Sequence, residues 1–260
     1  MTDPKLWRDT VQALRFFSRL PLPPLPGETD PHGLPDFADL ARVVPLVGLV
    51  LGGLAGLVLL PASLLWPPMI AALLCVGAGI VMTGAFHEDG LADTADSFGG
   101  MTVERRLEIM KDSRIGTFGA AALIIGLMLK ATTIAGLVAA AGAGRTALAL
   151  AAAGAVSRMA AMALAVYLPA ARPDGAAYAT GTPSPAAWQA GCVTALALSC
   201  LAWPVAGFFG TLLGLGVVAV VAAGAVQLAR RHVGGQTGDL AGATQQCTEI
   251  AVLLVWLIFA

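Results

Sequence analysis

The stretch Phe86-His87-Glu88-Asp89-Gly90-Leu91-Ala92-Asp93-Thr94-Ala95-Asp96, continued from Ser97 to Gly119 as SFGGMTVERRLEIMKDSRIGTFG, decides how the rest of the chain must fold. Seven of the chain's 16 acidic residues fall in it: Glu88, Asp89, Asp93, Asp96, Glu104, Glu108 and Asp112. Four of the 15 basic residues, Arg105, Arg106, Lys111 and Arg114, stand beside them. Apolar runs long enough to span a bilayer flank the stretch on both sides. A charged island between such runs marks the place for polar chemistry in a membrane protein.

Composition points the same way. The 260 residues are 57% hydrophobic and 12% charged, with a mean hydropathy of +0.80. A soluble domain carries about 25% charged residues. The expected fold is therefore all-α, a polytopic integral membrane helical bundle forming one catalytic domain over 1–260. A net charge of −1 argues against a nucleic-acid partner. The polar opening MTDPKLWRDT lacks the apolar core of a cleavable signal peptide. Cys75, Cys192, Cys200 and Cys247 stand singly in apolar stretches and read as small buried hydrophobes.

Outward from the island, about seven spans are expected. They run from about Val43 to Leu65, Met69 to Phe86, Phe118 to Ala139, Thr146 to Leu168, Trp188 to Phe208, Gly210 to Ala229, and from the second polar segment to about Ala260. Residues 1–40 precede them. In 1–20 the apolar set Leu6, Trp7, Val11, Leu14, Phe16 and Phe17 recurs at helical spacing among Lys5, Arg8, Arg15 and Arg19, which predicts an amphipathic helix on the membrane. Arg19 is either a headgroup anchor or a phosphate contact at the rim of a site. Residues 24–40 read as a surface linker, with His32 solvated. In the island, Gly99-Gly100 breaks the acidic helix and Thr102 caps a short interfacial one, whose charged face, with Glu104, Arg105, Arg106 and Glu108, is expected in solvent. The loop 169–187, carrying Arg172, Asp174 and Tyr178, is a lid or a plain connector. Within the fourth span Arg158 must face the interior and pair with a carboxylate or phosphate, because a bare guanidinium is costly in lipid.

Asp89, Asp93 and Asp96 stand at i, i+4 and i+7 and so share one helical face. Stacked carboxylates repel one another unless a cation sits between them. An oxygen-only set suits Mg²⁺, with Mn²⁺ as an alternative, and such ions usually carry phosphate as a further ligand. Gly116, where the chain re-enters the membrane, would let backbone N–H groups approach that phosphate. So would the Gly-rich segment 230–246, which includes Gly235, Thr237, Asp239 and Gln245.

The run His87-Glu88-Asp89-Gly90-Leu91-Ala92-Asp93-Thr94-Ala95-Asp96, the run Met110-Lys111-Asp112-Ser113-Arg114-Ile115-Gly116-Thr117-Phe118-Gly119 and the pattern GG.TGD..GA.Q from Gly234 together resemble the cobalamin synthase family, membrane-bound adenosylcobinamide-GDP ribazoletransferases. Glu88 stands where members often carry Leu. A Ser157-Arg158 pair in the fourth span also resembles the family. The resemblance implies attack by the 5′-hydroxyl of α-ribazole, or of its 5′-phosphate, on adenosylcobinamide-GDP, with GMP leaving. It implies Mg²⁺ on Asp89, Asp93 and Asp96 with Glu88 as a lesser ligand. Lys111, Arg114 and Arg158 would hold phosphate charge, and either Asp112 or Asp239 would be the base or a second metal would activate the hydroxyl. It implies a bacterial inner membrane; the positive-inside bias keeps the basic N-terminus cytoplasmic, so the 87–116 island, the 169–187 loop and the 230–238 island are expected to face the cytoplasm too. It is compatible with a homo-oligomer or with association with other cobalamin-assembly enzymes. Two rival readings are weaker. A phosphotransferase of the CDP-alcohol type would follow Asp-Gly with a different pattern, and an ion-coupled transporter would show repeated halves.

Overall fold

The computed structural model describes residues 4–28, 30 and 33–260; His32 lies outside the described residues. These residues form an all-helical bundle with a single parallel β-bridge between Ala170 and Gln236. The principal helices are α1 (Pro4–Phe17), α2 (Phe37–Leu40), α3 (Val44–Leu65), α4 (Pro68–Thr83), α5 (Phe86–Asp96), α6 (Val103–Ile109), α7 (Thr117–Ala141), α8 (Ala143–Tyr167), α9 (Ala176–Ala179), α10 (Pro185–Ser199), α11 (Trp203–His232) and α12 (Gly238–Ile258).

Five helical stretches are long and apolar enough to cross a membrane, six if the bent pair Pro68–Thr83 and Phe86–Gly99 counts as one span. One of them, Pro185–His232, is 48 residues long. At a rise of about 1.5 Å per residue a straight helix of that length would reach roughly 72 Å, more than twice a bilayer core. Its ends nevertheless lie at the same end of the bundle. Ser184 N–H donates to Ala38 and Phe37 N–H to Thr180, while His232 meets Ser97. Between them the chain breaks at Gly207, whose φ of 62° and ψ of −174° interrupt the helix. Gly210 lies against Phe259 at the opposite end. The segment thus makes two passes, α10 away from the polar end and α11 back. With α3, α4, α7, α8 and α12, α10 and α11 make seven helical segments that run back and forth along the bundle.

Small residues let the passes approach. α3 and α8 run antiparallel with their backbones in contact at Gly48 and Gly154, and α8 carries the core: from Ala149 to Ala160 every residue is buried. Close packing of small residues holds such bundles together where lipid removes the hydrophobic drive between helices.

Three expectations change. The apolar face of α1 covers protein rather than lipid: Ala13, Leu14 and Phe17 pack with Val43, Val44 and Val47, leaving Trp7 outside. The linker is partly built in, since Phe37 and Leu40 are buried and Glu28 pairs with Arg15 at 2.7 Å. Of the cysteines only Cys75 is buried; Cys200 and Cys247 face outward, and all four are free thiols.

The decisive bend follows α4. Gly84 ends the helix in the left-handed conformation (φ 64°), and Ala85 follows at φ 59°, where a β-carbon costs about 1–2 kcal/mol. Ala85 N–H is held by the carbonyl of Ile80 at 2.9 Å and its own carbonyl accepts from Asp89 N–H. The pair turns α5 by 90°, so the acidic helix lies across the end of the bundle instead of prolonging α4.

Candidate active site

Across that end α5 meets the start of α12. A β-carbon on Gly90 would stand 2.7 Å from the carbonyl oxygen of Asp239 and 3.2 Å from the Cα of Gly242. The two glycines therefore set the crossing, and the crossing brings Asp89 and Asp93 of α5 to Asp239 of α12. Thr237 caps α12, its hydroxyl accepting from Leu240 N–H at 3.2 Å, a favourable start for a helix. The preceding loop is clamped to residues 169–171: Gln236 N–H donates to Pro169 at 2.8 Å and Ala171 N–H to Gln236 at 2.9 Å. Gly235 is pressed against this segment, so it packs rather than faces the site. The clamp carries Arg172 to Asp239, Nη2 to Oδ2 at 3.3 Å.

Asp89, Asp239 and Arg172 line a cavity of about 220 Å³ that also takes in Arg158 and the rings of Phe16, Phe17, Phe37 and Phe86, and Asp93 stands beside these acids. The carboxylates feel one another. Burial, then the charges of Asp89, Asp239 and Asp96, push the Asp93 carboxyl up to about 7. Arg172 is the nearby cation opposing this.

Behind the cavity lies a second polar set. Lys130 Nζ meets Glu249 Oε2 at 3.1 Å, Gln245 donates to Glu249 at 2.7 Å and to Ser157 at 3.1 Å, and Gln246 donates to Glu88 at 2.9 Å. Glu88, Lys130, Arg158 and Glu249 surround a void of about 40 Å³. Two acids and two bases balance there. Arg158, 6% exposed, borders both cavities; its Nη1 reaches Gly154 O at 3.3 Å and its Nε has no hydrogen-bond partner.

Several expected site residues stand elsewhere. Asp96 is spoken for: its two carboxylate oxygens accept from Gly116 N–H at 2.7 Å and Gly119 N–H at 2.8 Å, so it occupies the anion position at the start of α7 that had been reserved for phosphate. Gly116 is correspondingly closed to a ligand by this contact. Glu88 points about 100° around α5 from Asp89, to Gln246 and the second void rather than to the first cavity. Gln245 is fully buried beneath the cavity. Lys111 bonds the 169–187 loop through Asp174 at 2.6 Å. Asp112 and Arg114 pair with each other at 2.6 Å in an exposed turn, and the guanidinium draws the Asp112 carboxyl down to about 2, which ill suits a base. Arg19 lies in a groove on the outer side of α1 with Arg15 and Glu28, its backbone N–H on Met82 O at 2.7 Å. Arg106, expected in solvent, ties the two polar segments by donating to Gly100 and His232 at 2.9 Å.

Arg172 and Lys130 are the residues the sequence reading missed. Lys130 had the same signal as Arg158, a cation deep in an apolar span. Arg172 had none, because only the β-bridge brings it in.

No three His, Cys, Asp or Glu side chains stand in a ready metal-ligand arrangement among the described residues. With Asp96 committed to α7, the acids that remain free to meet a cation are Asp89, Asp93 and Asp239. Their oxygen donors and mutual repulsion fit a hard divalent ion.

The chain is similar to known proteins over nearly its whole length. Residues 9–257 match the family model described as cobalamin-5-phosphate synthase. The chain belongs to that family. Family relatives include the adenosylcobinamide-GDP ribazoletransferases of Xanthobacter autotrophicus, 48% identical over 98% of this chain and 97% of the relative, and Azorhizobium caulinodans, 44% identical over 100% and 99%. That of Brucella ovis is 45% identical over 95% of each. No solved structure matches. The match spans α5, the α6–α7 turn and the start of α12 alike, so the three motifs that resembled the family are all inside it.

Proposed function

We propose that the protein is an adenosylcobinamide-GDP ribazoletransferase that joins the adenosylcobinamide phosphate to the 5′-hydroxyl of α-ribazole, or of its 5′-phosphate, and releases GMP. The observation that carries the reading is the meeting of Asp89 and Asp239 with Arg158 and Arg172 around one cavity, with Asp93 close enough to feel both acids, in a chain of this family. The family match favours neither a CDP-alcohol-type phosphotransferase nor an ion-coupled transporter.

Asp89 and Asp239 would hold Mg²⁺, or Mn²⁺, since such ions take one or two carboxylates and leave their other positions to phosphates and water. The ion would neutralise the diphosphate and the departing GMP. Arg172 and Arg158 supply fixed positive charge for the phosphate that is transferred. Asp93, whose carboxyl is raised to about 7, receives the proton of the attacking hydroxyl near neutral pH. In this reading the site faces the cytoplasm from a bacterial inner membrane.

Purified protein in liposomes, given adenosylcobinamide-GDP, α-ribazole and Mg²⁺, should form GMP and cobalamin in equal amounts. EDTA should stop both. GMP release at full rate without α-ribazole would mean hydrolysis or a covalent intermediate, and direct displacement would be abandoned.

A further inference from the structure

We propose that the aromatic end of the cavity seats the flat base of the hydroxyl-bearing substrate and selects a benzimidazole over a purine. The inference rests on the function proposed above and adds the placement and the selectivity.

The cavity has two unlike ends. Asp89, Asp239 and Arg172 make one. At the other, Phe16 stands 4.9 Å from Phe17, 5.5 Å from Phe37 and 5.6 Å from Phe86, ring centre to ring centre. His87 lies parallel to Phe17, 7° apart in plane and 6.0 Å between centres, and extends the wall. At about 220 Å³ the cavity falls below the roughly 300–1,000 Å³ that a drug-sized ligand fills. It therefore takes one substituent of a substrate, and the much larger corrin ring stays outside.

Two bases compete for such a place, the guanine of the GDP conjugate and the benzimidazole of α-ribazole. Guanine has a full edge of donors and acceptors, which are costly to bury without partners. The four phenylalanine rings offer it no polar atom; of the cavity's other polar lining, Gln236 is taken up by Ala177, Thr237 by Leu240 and Arg172 by Asp239, Asp89 and Arg158 belong to the phosphate chemistry, and His87 and Thr180 remain. A benzimidazole riboside has a single free ring nitrogen and otherwise apolar edges, so it loses little on entering. Stacking on rings suits any planar base; the lack of hydrogen-bonding partners is what discriminates. The ribose then points from the aromatic rings toward Asp89 and Asp239, beside which Asp93 stands, as attack through the 5′-hydroxyl requires.

The test uses Phe16→Leu and Phe86→Leu in the full-length protein in liposomes. Both rings are partly exposed, and leucine keeps the apolar volume while removing the stacking face. Each variant should raise KM for α-ribazole by at least about tenfold and leave KM for adenosylcobinamide-GDP unchanged. The wild-type preference for α-ribazole over the riboside carrying adenine in the same linkage should shrink. A rise in KM for adenosylcobinamide-GDP instead would put guanine in the cavity and overturn the proposal. A fall in kcat with both KM values fixed would show a merely structural role and overturn it as well. Equilibrium dialysis with α-ribazole alone separates this inference from the proposed reaction. Weaker binding by the variants in protein that makes no cobalamin would sink the reaction and keep the site. Undiminished binding by variants of an active enzyme would sink the site and keep the reaction.

Discussion

Asp89, Asp93 and Asp96 look interchangeable on a helical wheel, and the fold gives them three different surroundings. Asp96 closes the start of α7. Asp96→Ala should remove a cap worth about 0.5–2 kcal/mol and lower the melting temperature in detergent, with turnover retained in the fraction that stays folded. Asp89→Asn should leave the melt unchanged and abolish turnover. An unmoved melt for Asp96→Ala together with complete loss of activity would return Asp96 to the catalytic set. Asp93 differs again. Its carboxyl is raised to about 7 in the fold, against about 3.9 in an unfolded chain. Between those values the folded state binds the extra proton, so stability falls as pH rises from about 4 to about 7. In the absence of divalent ions Asp93→Asn should therefore melt higher than the wild type at pH 8 and alike at pH 4, and it should be inactive. In the wild type, kcat/KM should fall as pH drops through this range, and saturating Mg²⁺ should move the fall to lower pH by relieving the repulsion. A pH profile unaffected by Mg²⁺ would separate Asp93 from the ion.

The helices themselves were largely legible in the sequence. The first, third and fourth passes begin and end within a few residues of their hydropathic limits, because Pro45, Pro68, Gly116 and Gly142 punctuate apolar runs. The acidic helix and its break at Gly99-Gly100 were legible too, as was the cap at Thr102, which accepts from Arg105 N–H. What could not be read is the pairing of elements. Nothing local says that α5 turns 90°, that Gly90 meets Gly242, or that residues 169–171 bridge to Gln236; these contacts join positions far apart in the chain. So the Asp89–Asp239 meeting was open while Asp96 seemed available. The crossing is testable. Gly90→Leu should force α5 off Asp239 and abolish turnover, while the same change at Gly79, where a β-carbon meets nothing, should be tolerated. Equal damage at both positions would show that the crossing is not what matters. The Lys130–Glu249 pair joins α7 to α12. Lys130→Met should cost several kcal/mol by leaving Glu249 buried beside one cation fewer, and Lys130→Met with Glu249→Leu should recover much of it. Failure of the double variant to recover would assign the pair a role beyond packing.

Across the whole molecule the charges are sorted by end. The seven segments put α1, the α5–α7 island, the 169–184 loop and the 233–237 loop together. Twelve of the 15 basic residues belong to this end, Lys130 and Arg158 lie inside the bundle, and Arg145 alone stands at the other. Short loops rich in Lys and Arg stay on the cytoplasmic side, which predicts the orientation of every polar segment at once. Ser97 is an unsuitable reporter, since it is buried against His232. Met101, 89% exposed, Tyr178, 63% exposed, and Trp66, 45% exposed at the far end, serve instead. In a background with the four native cysteines replaced, Met101→Cys and Tyr178→Cys should react with an impermeant maleimide only in inside-out vesicles, and Trp66→Cys only in right-side-out ones. Because α10 and α11 fold back at Gly207, the loop holding Tyr178 and the segment holding His232 must report the same side. Labelling of Met101→Cys and Tyr178→Cys from opposite sides would require an odd number of passes between them, where α7 and α8 make two. It would divide the cavity that Arg172 closes over Asp239, and no single site could then join the acids to the phosphate.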